Sequence, residues 1–416
     1  MTAIDRRALL GGIAAGAGLV SLPASAAAMS FGAWVGAWAS AQMVPNPDTT
    51  LPPEIASDVT IRQIVRLTQG GRQFRVRLSN VFGTKPLKIG AAHAAISADQ
   101  MTSRIDPATA RGLTFGGRTA ITIPAGAEYV SDPVIMIVKP FTDLTLSLYL
   151  PEAASPQTSH PGARMVSYFA KGNRVVEASL DGARTMERWF HVSGIDVWTG
   201  QGAASIVALG DSITDGYGVK PGMNARWTDQ LARRLQADAR TRHLSVLNAG
   251  IGGGRILNDG SGPNAMARFE RDVLSQTGVK FLVILEGVND LGTLTKDAPV
   301  SAAAHAQLVE DMINAYQQMI RRARERGIKV IGATILPFMG FSLYHPDAQN
   351  EADRQAVNRW IRTSGAFDAV IDFDRIMADP ADPTRLKPDY DSGDHIHPSI
   401  AGYKVMGDAV DLKLFQ

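Results

Sequence analysis

Residues 206–216 read IVALGDSITDG, a continuous apolar run that breaks at Gly210 into small and polar residues. An apolar run of this length without alternation suits a strand covered on both faces, as in parallel sheets flanked by helices. Similar runs recur at Leu244–Leu247, Phe281–Leu285, Lys329–Thr334 and Ala369–Phe373. Helix-period stretches lie between them at Trp227–Ala239, Ala302–Arg326 and Asp353–Thr363, with a last one near Gly402–Leu412. This alternation predicts an α/β half built on a doubly wound parallel sheet. Such sheets collect their chemistry just outside the carboxyl ends of the strands.

Upstream the rhythm changes. From about Gly32 to Thr199 apolar and polar residues alternate: Phe74, Val76 and Leu78 against Arg75 and Arg77, then Leu144, Leu146, Leu148 and Leu150 against Thr145, Ser147 and Tyr149. Period two marks half-buried strands, and Gly70-Gly71 and Pro124-Ala125-Gly126 supply turns. An antiparallel β-sandwich or jelly-roll domain is expected over 29–200, followed by the α/β domain over 201–416; 416 residues suffice for two cores. Gln201-Gly202-Ala203 is too short a linker for independent motion, so the front domain should border the cleft of the other.

The opening residues carry Arg6-Arg7, a weakly apolar stretch to about Leu22 and then small residues. They resemble a twin-arginine export signal, assigned to residues 1–28 with cleavage after Ala26 or Ala28. Ala8–Leu22 is shorter than the roughly 20 apolar residues a spanning helix needs, so no stable membrane insertion is expected after cleavage. The implied location is the periplasm of a bacterium or the medium outside it.

Lys+Arg 42 against Asp+Glu 40 gives a net charge of +2, too weak a field to hold nucleic acid or an anionic membrane. The chain has no cysteine, which excludes disulfides, thiolate metal sites and a cysteine nucleophile. Its 8 histidines form no His-Glu-x-x-His pattern, so no metal or cofactor is expected.

The chemistry-bearing residues cluster at strand ends. Ser212 stands just past the first strand; Gly210-Asp211-Ser212 alone also reads as a turn or helix N-cap, but a serine on a tight strand-to-helix turn is exposed, rigidly held and close to N–H groups. The second strand ends in LNAGIGGGR, residues 247–255. Its Gly250-x-Gly252 lacks the third glycine of a dinucleotide fingerprint, since Arg255 stands there, whereas Gly253 could offer an unobstructed N–H. The third ends in LVILEGVND, residues 282–290, delivering Asn289 and Asp290; Gly-x-Asn-Asp also serves as a turn, yet a neutral amide suits a developing oxyanion. Near the end comes YDSGDHIHPS, residues 390–399, where the three-residue spacing of Asp394 and His397 lets the carboxylate hold the imidazole; His395 should point elsewhere, and Asp391 is the fallback carboxylate.

Taken jointly, Gly-Asp-Ser, Gly253, Gly-x-Asn-Asp and Asp-x-x-His-Pro resemble the four blocks of the SGNH (GDSL-type) hydrolase family over about Ser205 to Gln416. The resemblance implies a flavodoxin-like sheet and Ser212 as nucleophile. It assigns Gly253 and Asn289 as oxyanion donors with the Ser212 N–H, and Asp394 with His397 as the base pair. Ile213 stands where many members have Leu, and Gly252-Gly253-Gly254 leaves the oxyanion glycine open among three. The front half resembles the extra sandwich of some longer secreted members, whose usual substrates are acylated carbohydrates or small esters.

The function expected is a serine carboxylester hydrolase acting without cofactor on short-chain, acetyl-type esters of carbohydrate. The alternatives are a lysophospholipase or arylesterase, or a catalytically silent carbohydrate-binding protein. A nucleotide-binding oxidoreductase is disfavoured by the broken glycine pattern.

Overall fold

The computed structural model describes residues 32–416; the export signal read at 1–28 lies outside the described residues. In the front half, two antiparallel sheets share one core. The first orders Ala33–Ala39, Val192–Thr199, Gly71–Ser79 and Glu128–Val130, with Val134–Val138 also on Gly71–Ser79. The second orders Arg184–Met186, Ser167–Lys171, Val59–Arg66, Asp143–Leu150, Ala91–Ile96 and Arg111–Gly112. This is a β-sandwich. Phe74, Val76 and Leu78 are fully buried while Arg75 and Arg77 are half-buried, as alternation dictates.

The strand Asp143–Leu150 departs from the half-buried expectation. Thr145 and Ser147 are buried as well as the leucines, because Arg62 on the neighbouring strand donates to Ser147 Oγ (2.9 Å) and to the carbonyls of Ser103 (2.7 Å) and Glu177 (2.7 Å). Loops drawn over the outer face by this guanidinium cover what would otherwise meet solvent.

The other half carries five parallel strands: β1 (Ala204–Gly210), β2 (Leu244–Gly250), β3 (Val279–Leu285), β4 (Lys329–Ala333) and β5 (Ala369–Ile371). Their order, 2-1-3-4-5, is that of the flavodoxin-like sheet. The helices that bear on the site are α1 (Ser212–Asp215), α2 (Trp227–Ala237), α3 (Val288–Thr295), α4 (Ala302–Glu325), α5 (Ala348–Thr363) and α6 (Ile400–Ala409), with short helical turns at Ala265–Phe269 and Phe373–Met377. α2 packs on α6 and α4 on α5. Helix α5 begins five residues before the expected Asp353, capped by Asp347, whose carboxylate accepts the Gln349 (2.8 Å) and Asn350 (3.1 Å) N–H groups. Among the described residues no helix is long and apolar enough to cross a membrane.

The two halves are stitched along one seam. The strand Ala33–Ala39 lies beside β2: the Gly36 N–H donates to the Thr277 carbonyl (2.9 Å), Ser205 Oγ to the Gly36 carbonyl (3.3 Å) and Thr68 Oγ1 to the Val246 carbonyl (3.0 Å). Farther along, Ala41 and Met43 pack on Ile251, just past the end of β2, which brings front-half residues to that rim.

Candidate active site

At the end of β1 the chain turns sharply into α1. Gly210 permits this, since a Cβ there would lie 2.2 Å from Thr214 Oγ1 and 2.5 Å from the Leu285 carbonyl. Asp211 caps the helix by accepting the Ile213 N–H (2.9 Å), and Ser212 follows as its first residue. Ser212 Oγ lies 2.7 Å from His397 Nε2, across 185 residues of chain.

His397 is held from three sides. Its Nδ1 is 2.6 Å from Asp394 Oδ2, and its own N–H donates to Asp394 Oδ1 (2.9 Å), so one carboxylate fixes both ring and backbone. The Tyr217 ring stacks on the imidazole at 4.0 Å, and Phe341 meets it edge-on at 6.3 Å. Burial works to raise the Asp394 carboxyl, but the hydrogen bonds from the His397 ring and N–H outweigh it and hold the group well below the ordinary carboxylate range. The fallback, Asp391, turns to the other histidine: its Oδ2 is 2.7 Å from His395 Nδ1.

Asn289 and Asp290 sit in the first turn of α3, a helix that their turn-like sequence conceals; Gly287 at φ 123° is its N-cap. Asn289 Nδ2 donates to the Gly254 carbonyl (2.7 Å), which fixes one amide hydrogen and leaves the second available. Tyr344 donates its hydroxyl to Asn289 Oδ1 (2.8 Å), setting which end of the amide faces the site. Asp290 ties the glycine loop to the same helix, accepting the Ile256 (2.8 Å) and Leu257 (3.1 Å) N–H groups. Of the three candidate glycines, Gly254 donates its N–H to the Ile251 carbonyl (2.9 Å) and is committed, while Gly252 and Gly253 border the cavity; Gly253 holds φ +68°.

Behind these atoms Arg268, fully buried, donates to the carbonyls of Ala249 (2.6 Å) and Gly210 (3.0 Å) and to Glu286 Oε2 (3.1 Å). One guanidinium thus clasps the ends of β1 and β2 and the residue after β3, the three points from which Ser212, the glycine loop and Asn289 project.

Residues 208–405 match the GDSL-like Lipase/Acylhydrolase family model. This half of the chain is a GDSL-type serine esterase domain. Solved structures similar to it include an acetylxylan esterase from Geobacillus stearothermophilus, at 21% identity over 50% of this chain and 91% of that one, with a TM-score of 0.38. A GDSL-like lipase from Bacteroides thetaiotaomicron VPI-5482 is 20% identical over 51% and 87% of the chains, with a TM-score of 0.36. The acetyl xylan esterase AlAXEase is 21% identical over 49% and 96%, with a TM-score of 0.37. No curated protein sequence matches the chain.

The GDSL domain does not close its cavity alone. A space of about 470 Å³ is bounded on one side by Ser212, Gly253, Asn289, Tyr344 and His397, and on the other by Met43, Asn46, His160 and Arg164 of the β-sandwich. His160 reaches across the seam: its Nδ1 is 2.7 Å from the Ala41 carbonyl and its Nε2 3.0 Å from Asp215 Oδ1, on the helix that begins with Ser212. Burial alone would raise the Asp215 carboxyl, yet the charge and hydrogen bond of His160, with Arg164 and Arg226 nearby, bring it below its ordinary value. Asp215 is therefore a carboxylate, held between the His160 ring and the Arg164 guanidinium. Sequence reading passed over His160, Arg164 and Tyr344; none belongs to a motif, and only the odd pairing of a buried histidine with a distant carboxylate could have hinted at the first.

Proposed function

We propose that the protein hydrolyses short-chain carboxylic esters through an acyl-enzyme on Ser212. The observation that carries this reading is the continuous chain from Asp394 Oδ2 through the His397 ring to Ser212 Oγ, with links of 2.6 and 2.7 Å. His397 Nε2 takes the proton as Oγ attacks the ester carbonyl. The carbonyl oxygen gains a negative charge facing the N–H groups of Ser212 and Gly253 and the free amide hydrogen of Asn289. Collapse expels the alcohol, which takes the proton from His397; water then enters, gives a proton to the same nitrogen as its oxygen attacks the acyl carbon, and the second collapse releases the acid while Ser212 Oγ takes that proton back from His397. Asp394 stabilises the imidazolium at both steps and holds the tautomer that leaves Nε2 free.

An acetyl-type acyl group suits the side lined by the Gly252-Gly253 backbone and Ser261. The polar wall of Asn46, Thr49 and Arg164 supports a polyhydroxylated alcohol such as carbohydrate. A lysophospholipase or arylesterase reading draws on Phe341 and the exposed Leu343 at the same mouth. A series of 4-nitrophenyl esters separates the two: turnover greatest from acetyl to butyryl is expected, and faster decanoyl than acetyl hydrolysis overturns the short-chain reading. Ser212→Ala should lower kcat by roughly 10⁶-fold; retention of a tenth of the activity would move the nucleophile elsewhere. The adjacent Arg6-Arg7 and the small residues before Met29 support export of the enzyme, which cell fractionation checks.

A further inference from the structure

Beside the catalytic cavity opens a second one of about 600 Å³, and the two share Thr49, Pro161 and Arg164 as a common wall. The second is lined wholly by the β-sandwich and includes Arg184, Glu187 and Arg188. Two of its three guanidinium groups are poorly partnered. Arg184 is spent on an exposed ion pair with Glu54 (2.9 Å). Arg188 is half-buried, with no carboxylate within 4 Å and no hydrogen bond from its guanidinium among the described residues. Burial presses it below its ordinary range, and Asp48 and Glu187 oppose that only at a distance.

Arg164 sits at the junction. Its Nε is buried with no partner, and its one side-chain hydrogen bond among the described residues is a long one, from a terminal nitrogen to Asp215 Oδ2 at 3.5 Å, while His160 takes Oδ1. Its backbone is left-handed at φ 51°, a conformation that a long side chain adopts only where the surroundings impose it. The guanidinium lies 5.8 Å from the Tyr217 ring that stacks on His397, so its charge stands between the catalytic imidazole and the outer cavity.

We infer that Arg164 and Arg188 form an anion-binding subsite for the alcohol portion of the ester, and that the substrates are acylated carbohydrates carrying a carboxylate on a sugar near the scissile bond. The inference rests on the esterase reading above for the direction in which the substrate runs. Two under-satisfied guanidinium groups facing one open cavity match planar carboxylates, which they can hold through paired N–H donors. Exposed Glu187 on the same wall disfavours a dense polyanion and suits spaced single charges.

The test is calorimetric titration of the full chain with a short, unacylated oligoglucuronate and with the same oligosaccharide after reduction of its carboxylates to alcohols. The charged ligand should bind at least about tenfold more tightly, and the margin should shrink as salt rises. Arg188→Gln should erase the margin and Arg188→Lys restore part of it; Arg164→Lys should narrow it. Equal binding of the two oligosaccharides, or a margin unchanged in Arg188→Gln, overturns the subsite. Tighter binding of glycerol 3-phosphate than of the oligoglucuronate overturns the carboxylate assignment. Turnover of 4-nitrophenyl acetate, measured alongside, keeps the two readings apart. Turnover without selectivity sinks the subsite alone, whereas selectivity without turnover sinks the esterase reading and leaves the subsite standing.

Discussion

In the β-sandwich, the buried Arg62 spends its donors on a hydroxyl and three carbonyls, and burial brings its pKa down to about 10. In the GDSL domain the equally buried Arg268 clasps two strand-end carbonyls together with Glu286 and Asp272, and two further carboxyls, Asp211 and Asp290, lie close by. Both guanidinium groups act as staples, but they fasten different things. Arg62 holds loops over a sheet face and could be replaced by apolar packing without loss of chemistry. Arg268 fixes the three strand ends that aim the reacting groups. The comparison assigns chemistry to one half and enclosure to the other, with His160 and Arg164 as the sandwich's contribution to the shared wall.

The largest effect short of removing the nucleophile should come from the two Asp–His pairs of the same loop. Asp394→Asn should lower kcat by about 10⁴-fold, because the amide stabilises the wrong tautomer of His397. Asp391→Asn, which disturbs His395 and the Gly393 N–H but no atom of His397, should cost far less; steady-state kinetics on 4-nitrophenyl acetate would show it, and a larger loss at Asp391 would reverse the assignment. Asn289→Ala should lower kcat by about 10²–10³ with little change in KM, since the amide acts on the oxyanion. An equal change in KM would make it a substrate anchor.

The seam gives the test that could break the division of labour. His160→Ala leaves the buried Asp215 carboxylate only its long contact with Arg164, and should cost up to about 3 kcal/mol of stability in urea unfolding. Its effect on kcat should stay well below that of Asp394→Asn. A matching loss of kcat would mean that the sandwich supplies chemistry as well as wall.

The smallest expected effect is a drift of stability with pH. Burial raises the Asp211 carboxyl to about 7 against the pull of the Ile213 N–H, and raises Asp290 to about 6 against the N–H groups of Ile256 and Leu257. A carboxyl raised on folding favours the folded chain most below its unfolded value of about 4, and that advantage fades as pH climbs through the folded value. Melting temperature should therefore fall between about pH 4 and 7 from these groups. Asp211→Asn, which keeps an acceptor for the Ile213 N–H, should flatten part of the slope; an unchanged slope would place the titration elsewhere.

Much of the GDSL half was legible because parallel strands buried on both faces write themselves as unbroken apolar runs, and because chemistry in such sheets gathers where those runs stop. Ser212, Gly253, Asn289 and the Asp394–His397 pair all follow short fixed spacings from a strand or turn. Helix α3 escaped since Gly287-Val288-Asn289-Asp290 has the composition of a turn, and only the packing of Leu291 and Val288 into the core marks it as helical. In the sandwich the alternation of Phe74, Val76 and Leu78 was plain. Arg62, in a strand otherwise read as apolar, gave no sign of being buried, because its partners come from loops 41 to 115 residues away. The wall residues His160, Arg164 and Tyr344 have the same origin: they act through contacts between segments that no local period relates.

The central claim is that one activated serine, Ser212, carries the reaction. Treating the full chain with a fluorophosphonate and mapping the adduct by peptide mass spectrometry tests it most directly. The account predicts a single phosphonylated residue, Ser212, appearing in step with the loss of ester hydrolysis and absent from His397→Ala on the same timescale. Modification at another residue, or full activity with Ser212 labelled, would contradict it.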